Sequence, residues 1–171
     1  MIHPASDKRV ALNAVAGNAM VQGTVLRFTP ITPDDGTGRL MAFKATATTD
    51  FTAYGCFLAY YVTPDSQDVE YKGKPESTDF TLNADVGIGG GTNVIPSGAE
   101  MVALGGRNAL LRLDKNALTG TPSSLAAYPA STLLEVNASS GLLDTVAGGD
   151  LNATAAVVVE NDGNSLVVLL I

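Results

Sequence analysis

Residues 155–171 read "AAVVVENDGNSLVVLLI", two apolar, β-branched runs on either side of Asn161-Asp162-Gly163-Asn164. Asp-Gly between such runs is a strong hairpin signal: glycine accepts the positive φ that the turn needs, and the aspartate side chain bonds nearby backbone amides. The second arm, Leu166 to Ile171, does not alternate. A strand with one face in water alternates apolar and polar residues, whereas an unbroken apolar run is covered on both faces. Left at a sheet edge, it would template aggregation. Its cover is expected from its own domain or from a neighbouring subunit, with Ile171 tied down rather than frayed.

Upstream, the punctuation is that of a β protein. "KRVALNA" (8–14) alternates and reads as a first strand, with a turn at "AGNA" (16–19). "QGTVLRFTP" (22–30) and "RLMAFKATAT" (39–48) surround the turn-rich "TPDDGTGR" (32–39), so residues 22–48 are expected to form a hairpin. "AYGCFLAYYVTP" (53–64) is the aromatic strand, ended by Pro64. "AEMVALGG" (99–106) and "NALLRLDKN" (108–116) follow as strands about a Gly-Gly turn. The one helix candidate is "TPSSLAAYPASTLLEV" (121–136), capped by Ser123 or Ser124 and cut by Pro129 to one or two turns. Short strands at this spacing predict an all-β, single-domain sandwich or barrel of antiparallel strands with at most one short helix. The expected organisation is an N-terminal arm at 1–9 and a β-rich domain at 10–171. A polar loop or excursion interrupts that domain at about 63–80, and a Gly-rich connector at about 87–98.

A chain of 171 residues can bury roughly 70% of its unfolded surface, so it needs no disulfide or metal to fold. The lone cysteine, Cys56, lies in the apolar run "YGCFLAYYV" and reads as a small buried hydrophobe. Residues 1–10 hold no apolar core or cleavage pattern, so synthesis in a cytoplasm is expected. The "NAS" at Asn137 and "NAT" at Asn152 are then chance matches to a glycosylation pattern. The longest apolar run is far short of a membrane span.

Charge is scarce and unevenly placed. Charged residues make up 16% of the chain, against about 25% in an ordinary soluble domain. All ten Lys and Arg fall between Lys8 and Lys115; beyond Asn116 the only charged residues are Glu135, Asp144, Asp150, Glu160 and Asp162. Interface cores are depleted in charge, and so are segments inside a domain. The C-terminal third is therefore either subunit interface or inner core. A net charge of −7 argues against nucleic acid and against anionic membranes as partners.

Chemistry has little to work with. The single histidine, His3, is too isolated to complete a Ser-His-Asp or Cys-His arrangement. One His and one Cys fall short of a zinc site. Carboxylates cluster at Asp34/Asp35, Asp65/Asp68/Glu70 and Glu160/Asp162, without the spacing of a calcium loop. "GIGGG" (87–91) lacks the following helix of a phosphate loop, because Pro96 blocks it. No catalytic, cofactor or metal residue is expected. The basic pairs Lys8/Arg9 and Lys72/Lys74 are candidate contacts to an acidic partner surface. Leu166, Val168 and Leu170 are candidates for burial by a neighbour, which completes the expected interface set.

The segments "MVQGTVLRFTP", "GTGRLMAF" and "TDFTAYGCFLAYYVT", with the terminal "NDGNSLVVLLI", resemble small β-rich decoration (cement) proteins of tailed-bacteriophage heads. Gly23, Thr24, Val25 and Leu26 match the first strand of that pattern. Ala53, Gly55, Phe57 and Leu58 match a later one, with "TPDSQDVE" in place of the acidic turn. The likeness covers residues 10–70; residues 116–136 have no counterpart in it. It implies a non-enzymatic virion protein on the capsid exterior, made in the host cytoplasm. The implied partner is the major capsid protein, whose neighbouring capsomers it clamps, often as a homo-oligomeric dimer or trimer. Contact residues carry no transferable motif. A cell-surface, pilus or fibre subunit would share the Thr/Asn/Gly-rich, Lys-poor composition. A carbohydrate-binding β-sandwich is disfavoured by the absence of Trp.

Overall fold

The computed structural model describes residues 10–29, 40–50, 55–60, 94–146 and 151–171. The arm at 1–9, the polar stretch at 63–80, the "GIGGG" run and the Asp34/Asp35 and Asp65/Asp68/Glu70 clusters lie outside them. The described elements are short strands and single 3-10 turns, so the chain is all-β. In chain order the strands are β1 (Val10–Ala16), β2 (Met20–Val21), β3 (Leu26–Thr29), β4 (Leu40–Lys44), β5 (Phe57–Tyr60) and β6 (Val94–Ile95). They continue with β7 (Glu100–Gly105), β8 (Leu110–Leu113), β9 (Leu133–Val136), β10 (Leu143–Thr145), β11 (Ala156–Asn161) and β12 (Leu166–Leu170).

The first sheet runs β3-β4-β1-β7-β5 and curls back on itself. An isolated bridge joins Val25 to Leu58, and the Ala59 N–H donates to the Thr24 carbonyl at 2.8 Å, so the chain entering β3 lies along β5. The concave face becomes a barrel-like interior. Ala14, Ala16, Ala42, Ala59 and Ala103 leave room there for Leu26, Phe57 and Met101. Mixing small and large residues is how a narrow barrel fills without overpacking. The Phe28 and Phe57 rings meet edge-on across this interior, with centroids 5.5 Å apart. Met20 of β2 and Ile95 of β6 belong to the same core, and these two strands pair as a separate ribbon.

The expected 22–48 hairpin is present as β3 and β4, with Phe28 opposite Ala42. Among the described strands one pairing departs from the antiparallel expectation: β1 and β4 run parallel, with Ala14 opposite Leu40, and an isolated parallel bridge also joins Leu118 to Leu143. The chain between β1 and β4 passes through β2 and β3, which provides the long crossover that parallel neighbours require.

The second sheet runs β10-β9-β11-β12-β8. One of its faces packs on the convex side of the barrel. Val25, Leu58, Tyr60 and Leu104 from the barrel share this core with Leu111, Leu113, Leu134, Leu143 and Val158. Strand β5 therefore has apolar cover on both sides: Phe57 and Ala59 face the barrel interior, Leu58 and Tyr60 the core between the layers. Cys56 beside them is fully buried, and burial pushes its thiol pKa up. The chain changes layers between β7 and β8 through Gly105 and Gly106, so the strands on either side of this Gly-Gly turn do not pair with each other. A Cβ at Gly105 would collide with the Cys56 carbonyl, which makes glycine obligatory at this corner.

Residues 121–136 yield one 3-10 turn, Leu125–Ala127, with Ser124 as its cap: the Ser124 hydroxyl accepts from the Ala126 N–H at 3.1 Å. The end of the segment becomes β9, because pairing with β11 and β10 overrides weak helical propensity. The Asn161 amide donates to the carbonyls of Leu125 and Tyr128, fixing this turn against the end of β11.

Candidate functional site

Strand β12 determines which residues are available to a neighbour. Leu166, Val168 and Leu170 point into the core between the layers and are fully buried. These three residues leave the interface set: the chain's own barrel covers them. Lys8, Arg9, Lys72 and Lys74 lie outside the described residues.

Of the intervening residues in the same run, Leu169 is half-buried and Ile171 exposed, while Val167 is itself buried. Registers place Leu133 opposite Val157, Val157 opposite Leu169, and Leu169 opposite Leu110. Four half-buried apolar side chains thus form one row across β9, β11, β12 and β8, on the face turned away from the barrel. Residues opposite one another in adjacent strands share a face at contact distance, so the row is continuous. Val167 lies in the next row on β12. Beside it β11 bulges between Val158 and Glu160, and Val159 at the bulge is 50% exposed. By the two-residue alternation of a strand, Ile171 emerges on this side as well, and it is 44% exposed. The Ile171 backbone is fixed: its N–H donates to the Ala155 carbonyl at 3.0 Å, and its carbonyl accepts from the Cys56 N–H at 3.2 Å. Exposed large apolar side chains gathered on one face mark a contact site more than the same number scattered singly.

Charges bracket the row. At one end Glu135 of β9 stands directly opposite Asp144 of β10. Like charges in facing cross-strand positions are destabilising. Asp144 does accept from the Asn137 amide at 3.1 Å, which engages the nitrogen of the "NAS" sequence. At the other end Glu160 faces Val167, which in turn faces Arg112. The Arg112 guanidinium donates to Asp162 at 2.6 Å and to the Ser165 hydroxyl at 2.8 Å.

Asp162 organises the hairpin that the sequence announced. Its carboxylate accepts from the Ser165 N–H at 2.7 Å and the Asn164 N–H at 2.8 Å. These backbone donors, with smaller contributions from the Ser165 hydroxyl and Arg112, lower its pKa to about 2. Gly163 in this loop has φ 87°.

No family model and no curated protein sequence matches the chain. Among solved structures, the crystal structure of the head fibre gp8.5 N base of bacteriophage phi29 overlaps 95% of this chain and 94% of that one, with a TM-score of 0.46 and 10% identity. Overlap of that degree does not define a common fold.

Among the described residues, no group of three His, Cys, Asp or Glu side chains is placed to hold a metal ion. What the described chain presents is a surface. Its constituents Leu110, Leu133, Val157 and Leu169 are not among the contacts expected from sequence. The unbroken "LVVLLI" run contributes Leu169 to this row, while Leu166, Val167, Val168 and Leu170 of the same run are buried.

Proposed function

We propose that this chain is a non-enzymatic structural protein of a bacteriophage virion, bound to the outside of the capsid and stabilising the shell. The outward face of the second sheet carries the reading. It is an apolar row, rimmed by carboxylates and built into a rigid sheet, which suits a protein partner better than a small substrate. The resemblance of residues 10–70 to head decoration proteins supports the same role, with the major capsid protein as partner and a dimer or trimer as the working form. The low charge content of the chain fits a protein that works with part of its surface covered.

The test uses heads assembled without this chain, from a phage whose genome encodes it. Purified protein added to such heads is expected to co-sediment at a fixed ratio to capsid subunits and to delay thermal release of DNA. Light scattering reports its oligomeric state in solution. Failure to co-sediment at any salt concentration, with the protein folded, overturns the proposal.

A further inference from the structure

We infer that the outward face of the second sheet is the shell-binding face, and that it takes a protein surface with an apolar centre and a Lys/Arg rim rather than a second copy of itself. This rests on the virion role proposed above. Charge decides the occupant. Glu135, Asp144, Glu160 and Asp162 surround the apolar row, and the guanidinium among them, Arg112, is already bonded to Asp162. Residues 116–171, which supply most of this face, contain no Lys or Arg.

Two copies meeting through this face about a two-fold axis would bring carboxylate rims together, and like-charge juxtaposition strongly disfavours an interface. A basic rim does the reverse. It would also set cations beside the facing Glu135–Asp144 pair. The apolar row supplies contact area, and the carboxylates supply orientation and rate. Any dimer or trimer then forms through another surface and leaves this one free.

The experiment compares wild type, the double variant Val159→Glu/Ile171→Glu, and the double variant Glu135→Lys/Glu160→Lys. Each is titrated onto heads lacking the protein. The four positions are exposed or half-buried, so all three proteins are expected to share one circular dichroism spectrum. The first variant places carboxylates on exposed positions beside the apolar row and is expected to bind at least about tenfold more weakly. Wild-type binding is expected to weaken as salt rises from about 0.1 M to about 1 M, where the screening length falls from about 10 Å to about 3 Å. The charge-reversed variant is expected to bind more weakly at low salt and to lose most of that salt dependence. Undiminished binding by Val159→Glu/Ile171→Glu overturns the face while leaving the virion role intact. A wild-type oligomer that this variant dissociates overturns the choice of occupant. Absence of wild-type binding to heads overturns the virion role and the inference with it.

Discussion

Leu170→Ala tests whether β12 is oriented as described. Leu170 is fully buried between the layers, and its Cδ1 lies 3.0 Å from the point where a Cβ on Gly105 would stand. The substitution removes three carbons, worth about 2.4 kcal/mol at about 0.8 kcal/mol each. A residual cavity of about 40 Å³ adds about 1 kcal/mol, at about 24 cal/mol per Å³. The expected loss is therefore about 3 kcal/mol, a large part of the roughly 5–15 kcal/mol that holds an ordinary domain together. Ile171→Ala removes the same three carbons from a side chain that is 44% exposed, and its expected cost is about 1 kcal/mol. Urea unfolding reads both as shifts in midpoint at constant slope. By heat, Leu170→Ala is expected to lower Tm by about 6–12 °C. Equal costs for the two variants, or a reversed order, would refute the assignment of inward and outward residues.

Other perturbations probe separate parts of the structure. Gly23 has φ 82°, and a Cβ there would stand 2.7 Å from the Ala117 Cβ; Gly163 has φ 87° with open space around it. Gly23→Ala is expected to cost about 3 kcal/mol and Gly163→Ala about 1–2 kcal/mol by urea titration, so equal costs would remove the steric argument at Gly23. Asp162 stabilises the hairpin as a carboxylate, with a folded pKa of about 2 below an unfolded value of about 4. Its contribution is therefore fully present above about pH 4 and disappears as pH falls through about 2. Because the side chain is 38% exposed, that contribution stays within the roughly 1 kcal/mol of a surface pair. The urea midpoints of wild type and Asp162→Asn should differ at about pH 6 and converge toward about pH 2; a constant gap contradicts the titration. The Gln22 side chain is buried, and neither its amide nitrogen nor its oxygen has a hydrogen-bond partner among the described residues. Gln22→Met keeps the length and removes both polar atoms. It is expected to raise the urea midpoint by an amount worth about 1 kcal/mol, and a lowered midpoint would reveal a partner for the amide.

Local chemistry made some of the fold legible in the sequence. Asp162-Gly163 announced β11 and β12, and Pro30 with the "TPDDGTGR" cluster announced β3 and β4. The apolar density of "CFLAY" announced a strand, and β5 has apolar cover on both sides. Long-range pairing was harder to read. Nothing near Ala14 specifies its parallel partner Leu40, and nothing near Val25 specifies the bridge to Leu58 that curls the first sheet. Strand β9 was hidden because "STLLEV" also suits a helix, and only its partners in β10 and β11 decide. The candidate surface was half legible. Charge depletion after Lys115 marks the same part of the chain that supplies most of the proposed surface. An apolar run without alternation gives no sign of which residues face out, so the sequence singles out Leu166, Val168 and Leu170, which the structure buries.

Among the described residues, the second sheet packs one face on the barrel, and its far side carries a row of half-buried apolar residues. A cryo-EM reconstruction of heads carrying the bound protein, at a resolution that orients its two layers, reads directly which side meets the shell. The row of Leu110, Leu169, Val157 and Leu133 is expected to lie against the capsid, with Lys or Arg side chains of the capsid beside Glu135 and Glu160. A reconstruction with that row turned to solvent, and the barrel seated on the shell instead, would overturn the assignment of the shell-binding face.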